Sequence, residues 1–132
     1  MQTEETSLAT TLDNLLKLLK SNPEMIEFQD VMTTIAEHYD YTPVQFSNGT
    51  EDDLLINHAR ENEGSCKIFA FAKLHDLSEK ETLACFGKYY RQDALQHPEG
   101  KDHLNIRTFM KHGWHGIQFE APPLRLKADT TS

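Results

Sequence analysis

The chain has 132 residues, enough for one domain whose core removes roughly two thirds of the unfolded chain's surface from water, and too few for two. Acidic residues outnumber basic ones by 21 to 13, a formal net charge of -8, so the chain repels a phosphate backbone and nucleic acid is excluded as a partner class. No stretch reaches the roughly 18 apolar residues of a membrane span. The first residues, Met1-Gln2-Thr3-Glu4-Glu5, are acidic where an export signal is basic, and two cysteines, Cys66 and Cys85, fit free thiols in a reducing cytosol better than a disulfide framework.

Leu8, Leu12, Leu15, Leu16 and Leu19 recur at three- and four-residue intervals and predict an amphipathic helix over residues 6–20, with Thr6 or Ser7 as its cap and Asn22-Pro23 as its end. A second helix is expected from Pro23 to about Tyr39, carrying Phe28, Val31, Met32, Ile35 and Tyr39 on one face. Val44 and Phe46 alternate with polar neighbours, so residues 42–46 read as a short strand followed by an Asn48-Gly49 turn; Glu51-Asp52-Asp53 reads as a solvated turn. From Ser65 the helical period resumes. Ile68, Phe69, Phe71, Ala72 and Leu74 make this segment apolar on nearly all sides, as a central buried helix requires. Ser78-Glu79-Lys80-Glu81 is a capping box that starts a helix with Leu83, Ala84 and Phe86. Gly87 interrupts the run before Tyr89, Tyr90 and Leu95, and Pro98-Glu99-Gly100 closes it. Asp102 is the expected cap of a last helix through Ile106, Phe109 and Met110, ended by Gly113. Ile117-Gln118-Phe119 alternates and is a candidate partner for Val44-Gln45-Phe46. The expected fold over residues 1–132 is a single, mainly helical α+β domain with a minimal two-stranded sheet.

Four groups of residues are candidates for chemistry. The first is the polar stretch from Asn57 to Lys67, where Asn62, Gly64, Ser65 and Lys67 are candidate ligand-binding residues. A helix start offers free N–H groups and a positive dipole end to an anion, and glycine allows close approach. The alternative is that Ser65 or Asn62 only caps a core helix. The second is Cys66, in the first turn of that helix, a candidate nucleophile if a base such as His58 or His103 stands beside it, and otherwise a small buried hydrophobe. Cys85 reads as packing.

The third group is His97, Asp102, His103, His112 and His115, which bear metal-ligand chemistry. Gly113 breaks the helical face between His112 and His115, and no His-Glu-x-x-His pattern is present, so no metal site is assigned; His103, His112 and His115 stay as candidates and the cofactor is left unknown. The fourth is Tyr89, Tyr90, Arg91, Asn105, Arg107 and Trp114. Their rings and guanidinium groups suit an interaction surface, or in part the core.

Asn62-Glu63-Gly64-Ser65-Cys66-Lys67-Ile68-Phe69-Ala70-Phe71-Ala72, then Thr82-Leu83-Ala84-Cys85-Phe86-Gly87 with Tyr90-Arg91, then Asp102-His103-Leu104-Asn105-Ile106-Arg107-Thr108-Phe109-Met110 and Gly113-Trp114-His115-Gly116-Ile117 resemble, in order, the blocks of the HopJ type III effector family. The resemblance runs from about Phe28 to Leu126. It implies a bacterial protein, resident in the bacterial cytoplasm and secreted into a host cell by a type III system if the family name applies. It supplies no catalytic residues, the family's activity being unassigned, and it implies a small residue, often glycine, where this chain has Arg60.

Two functional classes follow, and the sequence leaves open whether either is enzymatic. One is an effector or interaction module that binds a host or bacterial protein through the tyrosine, arginine and tryptophan set, which must then be exposed together. The other is a small cytosolic enzyme or metabolite-binding domain that takes a small anionic metabolite at the Asn57–Lys67 stretch, with His103 or His58 as acid/base partner. It requires a pocket in which Asn62, Ser65, Cys66 and a histidine converge.

Overall fold

The computed structural model describes the backbone of residues 4–127 and the side chains of residues 12–127. The leucine-patterned helix is α1 (Glu4–Ser21), which buries Leu15 and Leu19 and stops before Asn22-Pro23. The expected caps Thr6 and Ser7, and Leu8, lie outside the described side chains. The second helix starts later than the sequence suggests. Pro23–Met25 makes a single 3-10 turn, Ile26 then leaves the helical path with φ -73 and ψ 137 to bury its side chain completely, and α2 runs over Phe28–His38.

The strands also depart from expectation. Residues 42–45 are a connection, because Pro43 has no N–H to give a ladder, and the strands lie on either side as β1 (Tyr39–Tyr41) and β2 (Phe46–Asn48). Further strands are β3 (Leu55–Asn57), β4 (Gln118–Phe119) and β5 (Leu124–Leu126). They form two small antiparallel sheets rather than one pair: β1 with β5, and β3-β2-β4. Phe46 faces Phe119 across β2 and β4, so the two alternating segments do meet, with Ser47 opposite Gln118. The architecture is a mainly helical α+β fold.

The centre is α3 (Glu63–Leu74), which buries Cys66, Ile68, Phe69, Ala70, Phe71 and Ala72. Phe69 is the hub: its ring centroid lies 6.0 Å from Phe46, 5.5 Å from Phe86, 5.0 Å from Phe109 and 6.4 Å from Trp114. The capping box forms as read, with Ser78 Oγ accepting from the Glu81 amide at 3.1 Å and Glu81 accepting from the Ser78 amide at 2.9 Å, and it starts α4 (Glu79–Ala84). After Gly87 the chain widens into a π-helical turn over Tyr89–Ala94, a form that sequence periodicity does not signal. The last helix, α5 (Leu104–His112), is preceded by His103 and not capped by Asp102. The Asp102 carboxylate is taken instead by Arg107 at 2.6 Å, which holds it below the usual carboxylate range. Gly113 ends α5 with φ 65. Among the described residues no helix is long and apolar enough to cross a membrane.

Arg60, at the place where the family resemblance implies a small residue, has φ 77. The turn that favours glycine is therefore kept with an arginine in it. Arg60→Gly is expected to raise stability by about 0.5 kcal/mol, the relief of a left-handed backbone less the extra chain entropy of glycine; a urea midpoint at or below that of the parent chain would contradict this.

Candidate functional site

Four asparagines join β2, β3, the start of α3 and the start of α5. Asn48 and Asn57 end the paired strands β2 and β3, Asn62 precedes α3, and Asn105 lies in the first turn of α5. Asn48 Nδ2 donates to the Asn105 backbone carbonyl at 2.9 Å and to Asn105 Oδ1 at 3.0 Å. Asn57 Nδ2 donates to Asn105 Oδ1 at 3.1 Å, Asn105 Nδ2 returns a bond to Asn57 Oδ1 at 2.9 Å, and Asn62 Nδ2 donates to Asn57 Oδ1 at 2.7 Å. Buried amides without partners cost stability, so this network fixes the two helix starts against the sheet. Asn48 Oδ1 is its one buried polar atom without a partner among the described residues.

Asn57, Asn62 and Asn105 line a hollow of about 610 Å³, together with Gly64, Ser65, Tyr89 and His103. Both residues that precede the helices there have left-handed backbone, Asn62 with φ 52 and His103 with φ 50, and neither caps its helix with a side-chain bond. Such conformations cost energy in non-glycine residues and tend to gather at functional sites. Phe28 forms one wall and is placed by two glycines. A Cβ on Gly64 would stand 2.9 Å from the Phe28 ring, and one on Gly87, at φ 61, would stand 2.7 Å from the Phe28 backbone nitrogen.

His103 is held by the π-helical turn. Its Nε2 lies 3.0 Å from Asp93 Oδ2, and its ring packs on Tyr89 at 5.3 Å, so Tyr89 and Asp93 of that turn both reach the imidazole. Tyr89 in turn packs edge-on to Phe28 at 5.2 Å. Arg107 clamps the end of the turn by donating to the carbonyls of Asp93 at 3.1 Å and His97 at 2.6 Å. With Nε2 spent on Asp93, the nitrogen left to His103 for a ligand is Nδ1.

The other candidates are placed elsewhere. Cys66 is buried beside Tyr41 and the Val44 backbone, not on the hollow's wall, and burial raises its thiol pKa despite the lowering by those hydrogen bonds and by Lys67. Lys67 sits 4.7 Å over the Tyr41 ring, and Tyr41 donates to Glu63 at 3.0 Å. His58 is exposed and bonded to Gln45 at 3.0 Å, so no base stands at Cys66. Burial pushes the Cys85 thiol up to about 12. Neither cysteine is expected to react with a thiol-specific disulfide reagent at pH 8 until denaturant is added; stoichiometric labelling of the folded protein would contradict that.

The expected interaction surface does not assemble. Asn105 is in the buried network, Arg107 is spent on backbone carbonyls, and Trp114 packs on Phe109 while donating its indole N–H to the Leu77 carbonyl at 3.1 Å. Tyr89 belongs to the hollow, and Tyr90 packs against the core. Arg91 lies half-buried on a neighbouring groove with Lys88 and Glu27, and Phe28 and Tyr89 line both that groove and the hollow. The metal candidates are likewise apart: His103 is on Asp93, His112 is on Asp53 at 2.9 Å, and His115 is exposed. Among the described residues no three His, Cys, Asp or Glu side chains form a metal-holding group.

Sequence reasoning missed Asn48, Asp93 and Phe28 as parts of this arrangement. Asn48 was hidden as a turn residue before Gly49, and nothing local to Asp93 marks it as the partner of a histidine ten positions on.

A family model for the HopJ type III effector protein matches residues 12–124. Among solved structures, one described as the crystal structure of unknown function protein VPA0580 is similar to this chain with a TM-score of 0.83 and 52% sequence identity, over 88% of this chain and 93% of the other. No curated protein matches.

Proposed function

The chain belongs to the HopJ type III effector protein family, and from that premise we propose that it is made in the bacterial cytoplasm, delivered through a type III system into a host cell, and acts there by binding a ligand in the hollow between the starts of α3 and α5. Membership of the family supports the delivery and a host-side partner. The single observation that supports the hollow as the working site is its asparagine network: three buried asparagines and the exposed Asn62 tie together four separate segments at a cavity of ligand size. A network of amides is a costly way to pack a core, and apolar residues of the same volume would hold these segments as well. Its placement under an open cavity accounts for keeping it.

The hollow favours recognition over covalent catalysis. Its polar groups are amides, a serine, a lysine and an imidazole fixed by a carboxylate, while the thiols are buried away from it. A small anionic metabolite or an anionic group on a host protein is the partner class this set suits.

Two experiments test the proposal separately. Residues 1–50 fused to a translocation reporter should pass into host cells from a type III-competent strain and fail to pass from a secretion-null strain; equal signals from both would overturn the delivery. Ser65→Phe should fill the hollow and abolish the phenotype of the delivered protein while the folded state persists by circular dichroism. Full activity of that variant would overturn the hollow as the working site.

A further inference from the structure

We infer that the hollow takes a carboxylate borne on an apolar body, with the carboxylate oxygens accepting from the amide nitrogens of Asn57 and Asn105; this deepens the reading of the hollow as a binding site and rests on it. The orientation of every amide in the network is fixed from one backbone group. The Asn105 carbonyl can only accept, so the Asn48 atom bonded to it at 2.9 Å is nitrogen, and the Asn105 atom that the same nitrogen meets at 3.0 Å is oxygen. The remaining atom of the Asn105 amide is then a nitrogen, which donates to Asn57 Oδ1 at 2.9 Å, leaving Asn57 Nδ2 as the donor to Asn105 Oδ1 at 3.1 Å.

With the amides so oriented, Asn57 and Asn105 have full acceptors and unspent donors, while the free acceptors are Asn48 Oδ1, which is buried on a residue outside the hollow's lining, and Asn62 Oδ1 on an exposed residue. Asn105 Oδ1 accepts from Asn48 and Asn57, and Asn57 Oδ1 accepts from Asn62 and Asn105, which uses both lone pairs of each oxygen. Asn48 Nδ2 spends both hydrogens, whereas Asn57 Nδ2 and Asn105 Nδ2 each spend one among the described residues. These two side chains belong to residues 3% and 6% exposed that line the hollow, so each unspent hydrogen is a donor without a protein acceptor among the described residues. A ligand that completes Asn57 and Asn105 therefore brings oxygen acceptors to these two side chains.

Charge and wall chemistry complete the class. The chain has 21 acidic residues, yet none lines the hollow, while Lys101 stands on its edge. Asp93 and Asp102 stand behind the hollow's His103 wall, 3.0 and 3.7 Å from His103 Nε2. Phe28, Leu55, Ile56, Phe86 and Leu104 supply apolar walls that a small polar anion would leave unfilled. The starts of α3 and α5 at this place add positive dipole ends.

The test uses the intact protein, labelled with nitrogen-15, and three probes of one chain length: hexanoate, hexanamide and hexylamine. Hexanoate should shift the side-chain amide signals of Asn57 and Asn105 and bind about 10-fold more tightly than hexanamide, the gain of a charged over a neutral acceptor. Lys101→Glu, at an exposed position, should weaken hexanoate about 3-fold and leave hexanamide unchanged. Hexanamide or hexylamine binding as tightly as hexanoate would overturn the carboxylate assignment and leave the hollow a binding site. Failure of all three to move the Asn57, Asn105 and His103 signals would overturn both.

Discussion

Asn105→Leu is expected to lower the unfolding free energy by about 3 kcal/mol, the cost of stranding one buried amide donor and breaking two further bonds without leaving space for water. Leucine has nearly the volume of asparagine but no polar atom, so Asn57 Nδ2 loses its acceptor and the second bond of Asn48 Nδ2 disappears. Asn48 keeps the Asn105 backbone carbonyl, which bounds the loss. Asn105→Ala should cost less, about 2 kcal/mol, because a smaller side chain beside the hollow lets water reach the stranded amide. The double variant Asn57→Leu with Asn105→Leu should cost clearly less than the sum of the two single changes, since removing both partners leaves neither unsatisfied. Urea unfolding of the parent chain and the four variants, Asn57→Leu alone included, decides this, with the midpoint moving and the slope constant. Strict additivity, or alanine costing more than leucine, would show that Asn105 acts by packing alone.

What could be read from the sequence was what neighbouring residues determine. The capping box was legible because Ser78 and Glu81 bond each other three residues apart, and the burial of α3 because Ile68, Phe69, Phe71 and Ala72 leave no polar face. The meeting of Phe46 with Phe119 was legible from alternation, though Pro43 moved the strand to later residues. The asparagine network was not legible, since Asn48 and Asn105 are 57 positions apart and each looks like an ordinary turn or helix-start residue. Arg107 and Trp114 resembled recognition residues because their chemistry is the same whether they face a partner or the chain's own carbonyls; only the fold supplied the carbonyls of Asp93, His97 and Leu77. The stretch from Asn57 to Lys67 divides in the same way. Asn57, Asn62, Gly64 and Ser65 reach the hollow, whereas Cys66 and Lys67 turn to Tyr41 on another face of α3.

Phe69→Ala is expected to be the most damaging single core change, at about 4 kcal/mol. Phe69 is fully buried, and its ring is where four segments meet: Phe46 of β2, Phe86 after α4, Phe109 of α5, and Trp114 beyond it. Collapse into the vacated space is limited because Phe46 is tied by its ladder to Asn57 and Phe119, and Trp114 by its indole bond to Leu77. The neighbour that lies in a turn is Phe86, which also lines the hollow. Relaxation of Phe86 toward the cavity would enlarge the hollow, so the variant should lose hexanoate affinity as well as stability. Phe69→Leu, which keeps most of the volume, should cost about 1 kcal/mol and retain binding. Unfolding midpoints measure the first effect and hexanoate titration the second. A stable Phe69→Ala protein with unchanged binding would mean that the hollow's wall is set independently of the aromatic hub.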